Sequence, residues 1–175
     1  MKNIVLSFIL LSSLSLADTS YVSGNVSGTW TQNGSPYIVT NNIILQPGDS
    51  LIINSGVMIR FDGNYRFDVF GAIWANGTET DSITFTNNGS GNWASINFSE
   101  DANNSSTMSY CNFLYGSDSG YDPYWGVVNC NVSSPTIEHS TFDQCDKNGI
   151  YLNSSGTNIR NNTFKNFGET CIIIN

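Results

Sequence analysis

Residues 126–175 read GVVNCNVSSPTIEHSTFDQCDKNGIYLNSSGTNIRNNTFKNFGETCIIIN. Laid over itself at an offset of 22, the stretch matches. Val128, Ile150 and Ile172 fall in register (128 + 22 = 150, 150 + 22 = 172), as do Cys130, Leu152 and Ile174, and Asn131, Asn153 and Asn175. Ile137 lands on Ile159 and Phe142 on Phe164. A fixed period of this size is the mark of a solenoid, in which each repeat buries its apolar side against the next.

Charges keep the same register. At the offset of 22, Glu138 meets Arg160, Asp143 meets Lys165, and Lys147 meets Glu169. Only 11% of residues are charged, so three opposite-sign pairs in one repeat point to physical stacking. Strands stacked about 4.8 Å apart place these side chains side by side, facing water.

Upstream the repeat persists with insertions. Met108 and Phe113 map onto Ile137 and Phe142 at 29, which is 22 + 7. The seven extra residues fall in Tyr115–Trp125, and three more fall near Asp101 to Ser106. Insertions that leave the flanking register intact are loops added to one face of a solenoid, often its binding face.

From Tyr37 to Phe85 the apolar residues come in short bursts: Ile43-Ile44-Leu45, Leu51-Ile52-Ile53, Val57-Met58-Ile59, Phe67-Asp68-Val69 and Ile83-Thr84-Phe85. Turn signals separate them at Pro47-Gly48-Asp49, Asn54-Ser55-Gly56, Asp62-Gly63-Asn64 and Asn76-Gly77. After the first residues no window keeps a helical apolar period. Short strands in a 22-residue coil with polar turns predict an all-β fold, a parallel β-helix of about six or seven coils. An Asn131-Asn153-Asn175 column is expected to form a side-chain amide ladder.

Lys2, the apolar stretch Ile4 to Leu16 and the small residues around Ala17 read as a secretory signal over residues 1–17. The β-helix domain then occupies 18–175. Its last residues, Ile172-Ile173-Ile174-Asn175, read as an uncapped strand, which predicts further coils in a longer chain. No stretch is long and apolar enough for a transmembrane helix. The expected location is extracellular or at the cell surface.

The formal net charge is −8. A chain this acidic disfavours nucleic acid and anionic membranes as partners. Four cysteines would suit disulfides in an exported chain, but at the repeat offset none falls on another: Cys130 meets Leu152, Cys145 meets Phe167 and Cys171 meets Gly149. Buried free thiols are expected at Cys111, Cys130, Cys145 and Cys171.

The patterns Ile159-x-x-Asn162-x-Phe164 before Ile172, and Ile137-x-x-Ser140-x-Phe142 before Gly149-Ile150, resemble the coil consensus of right-handed parallel β-helix repeat proteins with the pectate lyase-like fold. The run from Trp30 through Pro47-Gly48-Asp49 to Phe61 resembles the first coils of exported bacterial members. The resemblance implies a right-handed solenoid. It also implies, as one alternative, a polysaccharide lyase or glycoside hydrolase, or a fragment of one. The motifs of those enzymes, clustered Asp ligands with a basic catalytic residue, Gly-His-Gly or Arg-Ile-Lys, do not occur. No catalytic or metal-binding residue is therefore assigned. His139 is the sole histidine and maps to ordinary coil positions, Tyr110 and Asn161.

The insertion carries the remaining chemistry. Tyr115, Tyr121, Tyr124 and Trp125 supply rings that stack on sugars, and Asp118 and Asp122 can accept hydrogen bonds from sugar hydroxyls. No cofactor is expected, although Asp118-x-x-x-Asp122 offers calcium two of the six to eight oxygens it takes. The expected function is a non-catalytic secreted or cell-surface module that binds carbohydrate, or a protein partner, through residues 115–125.

Overall fold

The structure is a computed structural model and describes residues 18–118, 120 and 125–175. The secretory signal expected over residues 1–17 lies outside the described residues. Every strand pairing in the described chain is parallel, and one 3-10 turn, Gln32–Gly34, is the only helical element among the described residues. Among the described residues no helix is long and apolar enough to cross a membrane.

The chain opens with β1 (Ser20–Asn25) and then winds in triplets. β2 (Gly28–Trp30) leads into a long strand, β3 (Tyr37–Leu45). Next come β4 (Ser50–Ile53), β5 (Met58–Phe61) and β6 (Phe67–Val69), then β7 (Ala72–Asn76), β8 (Ile83–Asn87) and β9 (Ile96–Phe98). They are followed by β10 (Thr107–Ser109), β11 (Cys111–Leu114) and β12 (Gly126–Asn131), then β13 (Thr136–Glu138), β14 (Thr141–Asp143) and β15 (Asn148–Asn153). The last triplet is β16 (Asn158–Arg160), β17 (Thr163–Lys165) and β18 (Ile172–Ile174).

Register sorts these strands into three walls. Wall 1 stacks β2, β4, β7, β10, β13 and β16. Wall 2 begins with the first half of β3, whose Tyr37–Val39 pair with Ile59–Phe61, and continues through β8, β11, β14 and β17. Wall 3 begins with the second half, whose Ile43–Leu45 pair with Phe67–Val69, and continues through β9, β12, β15 and β18. β3 thus turns a corner without breaking, and β1 pairs along it on the outer edge. Three walls wound coil upon coil make a parallel β-helix.

The predicted register is the observed one. Val128 pairs with Ile150 and Ile150 with Ile172, and Phe113 with Phe142 and Phe142 with Phe164. Inside wall 2 the rings of Phe85, Phe113, Phe142 and Phe164 stack at centroid distances of 5.3, 4.5 and 4.9 Å. Each ring covers its neighbour's face, and burying one such side chain stabilises by roughly 1.5–3 kcal/mol. Ala75, Met108, Ile137 and Ile159 line wall 1 from within.

Outside, the three charge pairs form. Lys147 Nζ lies 2.8 Å from Glu169 Oε1, Lys165 Nζ lies 3.3 Å from Asp143 Oδ2, and Arg160 pairs with Glu138. Water and salt screen exposed pairs of this kind, so they report register more than they hold the fold. Asn153 Nδ2 donates to Asn131 Oδ1 at 2.7 Å, the first rung of the expected ladder. The second rung is absent: the Asn175 amide turns to the Tyr151 hydroxyl, 3.3 Å away.

The four cysteines are free thiols, and Cys111, Cys130 and Cys145 are buried as expected. Cys171 is exposed, which corrects the expectation of burial. It precedes β18 at a corner, where the side chain has no further coil of the described chain over it.

The corners hold a feature that the repeat did not announce. Among the described residues, eight other than glycine have positive φ, and all sit at corners in stacked columns. Tyr110, His139 and Asn161 form one column between walls 1 and 2. Tyr115, Gln144 and Asn166 form another between walls 2 and 3, and Val132 and Ser154 a third between walls 3 and 1. A left-handed residue lets the chain change direction within one position. It costs an L-residue about 1–2 kcal/mol, least for Asn.

Candidate functional site

The Tyr115–Trp125 insertion leaves wall 2 at a left-handed corner, Tyr115 with φ 57°, and re-enters at β12. Coils on both sides hold its roots. The Ser117 N–H donates to the carbonyls of Trp93 (2.9 Å) and Ala94 (3.1 Å) one coil before. The Tyr115 N–H donates to Asp143 O, and the Gly116 carbonyl accepts from the Asp146 N–H, both at 3.2 Å, one coil after. Gly116 is required there, because a Cβ would lie 2.5 Å from Val127 Cγ1. At the exit, the Asn148 side chain donates to Trp125 O at 2.7 Å.

Of the six residues singled out from the sequence, Tyr115, Asp118 and Trp125 are described; Tyr121, Asp122 and Tyr124 lie outside the described residues. Tyr115 and Trp125 stand at the two roots and are exposed, at 38% and 39%. Asp118 accepts the Gly120 N–H through Oδ1 at 2.9 Å, closing a local turn. The Lys147 ammonium is held above its ordinary range, first by its hydrogen bond to Glu169 and then by carboxylate attraction in which Asp118 takes part. Among the described residues no group of three or more His, Cys, Asp and Glu is arranged to hold a metal ion.

Beside the roots, wall 3 carries a row that sequence reasoning missed. Asp68, Asn97 and Asn129 occupy matching positions on successive strands, each between two inward residues, and so point outward. Arg66 Nε donates to Asp68 Oδ2 at 2.8 Å. Asn97 Nδ2 donates to Asp68 Oδ1 at 2.9 Å, and Asn129 Nδ2 to Asn97 Oδ1 at 2.8 Å. Ser95 Oγ donates to Asn97 Oδ1 at 2.8 Å. The Asn129 amide also bonds both the N–H and the carbonyl of Gly126, at 2.8 and 2.6 Å, where the insertion rejoins the wall. Asn97 and Asn129 are buried although they face outward.

The row explains itself by satisfaction. Buried amides without partners would each cost about 1–3 kcal/mol, and among the described residues no buried side-chain polar atom lacks one. Both Asp68 oxygens accept hydrogen bonds, Oδ2 from Arg66 and Oδ1 from Asn97. The row positions the re-entry of the insertion. A signal for it existed in the sequence: Phe67-Asp68-Val69, Ile96-Asn97-Phe98 and Val128-Asn129-Cys130 share one apolar-polar-apolar pattern. Unequal spacings of 29 (97 − 68) and 32 (129 − 97) hide it.

A second polar surface lies at the corner between walls 1 and 2. The His139 ring stacks on Tyr110 at 4.9 Å, 12° from parallel, and the Asn161 amide meets His139 Nε2 at 3.2 Å. Asn112, Thr141 and Glu79 complete a groove of about 480 Å³. The predicted column of Tyr110, His139 and Asn161 is therefore real, and its histidine is engaged on both sides.

The buried thiols are not nucleophiles. Desolvation pushes Cys130 up to about 12 and Cys145 up to about 11, and Cys111 is raised as well, so all three stay protonated at neutral pH. No protein-family model matches the sequence, and no curated protein or solved structure matches it either.

Proposed function

We propose that this chain is an exported, non-catalytic β-helix module that binds carbohydrate along the outside of wall 3, at the Tyr115–Trp125 insertion. Its coil pattern resembles that of the pectate lyase-like β-helices, here used as a scaffold rather than as an enzyme. The observation that carries the reading is the exposure of Tyr115 and Trp125 at the two roots of the insertion. Rings held in place by backbone bonds at their roots stack on sugar faces at little entropic cost. The carboxylate of Asp118 lies on the same segment and accepts hydrogen bonds from hydroxyls.

The test incubates residues 18–175 with neutral and acidic polysaccharides, with and without calcium, and records bound protein and newly released reducing or unsaturated ends. Binding without release, weakened about tenfold or more in Trp125→Ala, supports the module. Released ends that depend on Asp118 would replace it with a lyase or hydrolase. Binding unchanged in both Tyr115→Ala and Trp125→Ala would remove the insertion as the site.

A further inference from the structure

The shorter insertion, residues 101–106, follows β9 and has no part in the surface just described. It is clamped over the preceding coil. The Asn103 N–H donates to Gly71 O at 3.0 Å, and the Trp74 indole N–H donates to Ser105 O at 3.2 Å. Asn103 Oδ1 in turn accepts the Ser105 N–H at 2.8 Å, which stiffens the loop.

The clamp creates a groove of about 360 Å³ at the corner between walls 3 and 1. Aromatic Phe70 and Trp74, small Gly71 and Ala72, and the acidic Asp49 and Asp101 line it. The two carboxylates lie 52 residues apart in sequence (101 − 49) and two coils apart in the fold. Asp49 comes from the Pro47-Gly48-Asp49 turn and Asp101 from the insertion.

Charge decides what fits. The ion pairs among the described residues use Asp68, Glu138, Asp143 and Glu169, not Asp49 or Asp101. Arg66, Lys147, Arg160 and Lys165 are each committed to those partners, and Arg60 Nε bonds Met58. The groove therefore joins aromatic surface to two carboxylates that the described chain does not neutralise.

We propose that this groove receives an arginine side chain of a partner protein. The guanidinium is planar and always charged. It forks to two carboxylates and stacks on an indole, and its methylene stem covers the phenyl ring. The volume suits one long side chain rather than a helix or an oligosaccharide.

The whole exported chain is titrated with the capped tripeptide acetyl-Gly-Arg-Gly-amide, and with the same peptide carrying neutral citrulline in place of arginine. The Trp74 indole N–H resonance is followed by NMR. The expected result is a saturable shift with the arginine peptide that weakens about tenfold in Asp49→Asn/Asp101→Asn and again on raising salt. Both aspartates are exposed, so this variant keeps the fold, which an unchanged spectrum elsewhere verifies. An equal response to the citrulline peptide, a shift unaffected by the double variant, or no saturable shift at millimolar peptide would each overturn the proposal. Trp125→Ala leaves this titration unchanged, which separates it from the carbohydrate reading.

Discussion

Asn129 donates its side-chain amide to Asn97 across neighbouring strands of wall 3, at 2.8 Å, with both side chains outward and both buried. A solenoid usually keeps its outward positions wet. Here the outward Asn97 and Asn129 are as dry as the residues inside the wall, beside the point where the long insertion rejoins the fold. The amide row is thus a hydrogen-bonded seam between scaffold and loop.

Asn97→Ala breaks that seam in the middle. It leaves Asp68 Oδ1 and the Asn129 amide each short of a partner. The expected loss is about 1–3 kcal/mol, read from urea unfolding, with faster proteolysis at the insertion. A change below about 0.5 kcal/mol would mean that water replaces the amide without loss.

Phe142 lies in the middle of the phenylalanine stack, fully buried between Phe113 and Phe164. Phe142→Ala is expected to cost about 3–5 kcal/mol, and Phe142→Leu clearly less, since the cavity is smaller. The same denaturation experiment checks both. Equal losses would show that ring stacking, and not volume, holds the column.

Val132 is β-branched, 51% exposed and at φ 53°. Its side chain contributes little packing, and its backbone is strained. Val132→Asn is expected to stabilise by about 1 kcal/mol, a rise of roughly 2–4 °C in Tm. A fall in Tm would show that valine's contacts outweigh the strain.

Thiol accessibility follows from burial. An alkylating reagent near pH 8 is expected to modify Cys171 in the folded protein and all four cysteines after denaturation. Rapid native labelling of Cys130, held up to about 12 by desolvation, would contradict the packing.

Asp143 carries a pH-dependent contribution. The hydrogen bond from the Asn166 side-chain amide, together with the hydrogen bond and charge of Lys165, holds its carboxyl below the ordinary 3.8 against the opposing effect of burial. A depressed folded value means a contribution present above the ordinary value and lost as pH falls through the folded one, in a window below 3.8. Asn166→Ala is expected to raise the carboxyl midpoint measured by NMR, and so is Lys165→Met. No rise in Asn166→Ala would remove that hydrogen bond as the main cause.

Legibility in the sequence followed the periodicity of each feature. The bursts Ile43-Ile44-Leu45 and Phe67-Asp68-Val69 became β3 and β6, and the pairs at an offset of 22 became neighbours within hydrogen-bonding reach. One rung of the asparagine ladder formed and the other did not, because Tyr151 offers Asn175 a hydroxyl. Of the insertion residues, the exposure of Tyr115 and Trp125 fits a binding face, while Asp118 spends one oxygen on its own turn.

The sequence by itself determined the solenoid, its register and the places where loops leave it. Stacking forces chemically similar residues to recur at one spacing, and that spacing survives in one dimension. Only the tertiary structure decided which outward residues are buried, which corners turn through left-handed backbone, and which carboxylates line one groove. Asp49 and Asp101 line one groove, and Asp68 and Asn129 join one row through Asn97, across unequal spacings that erase any fixed period. Their proximity follows from how the coils are stacked, a relation that distance along the chain does not encode.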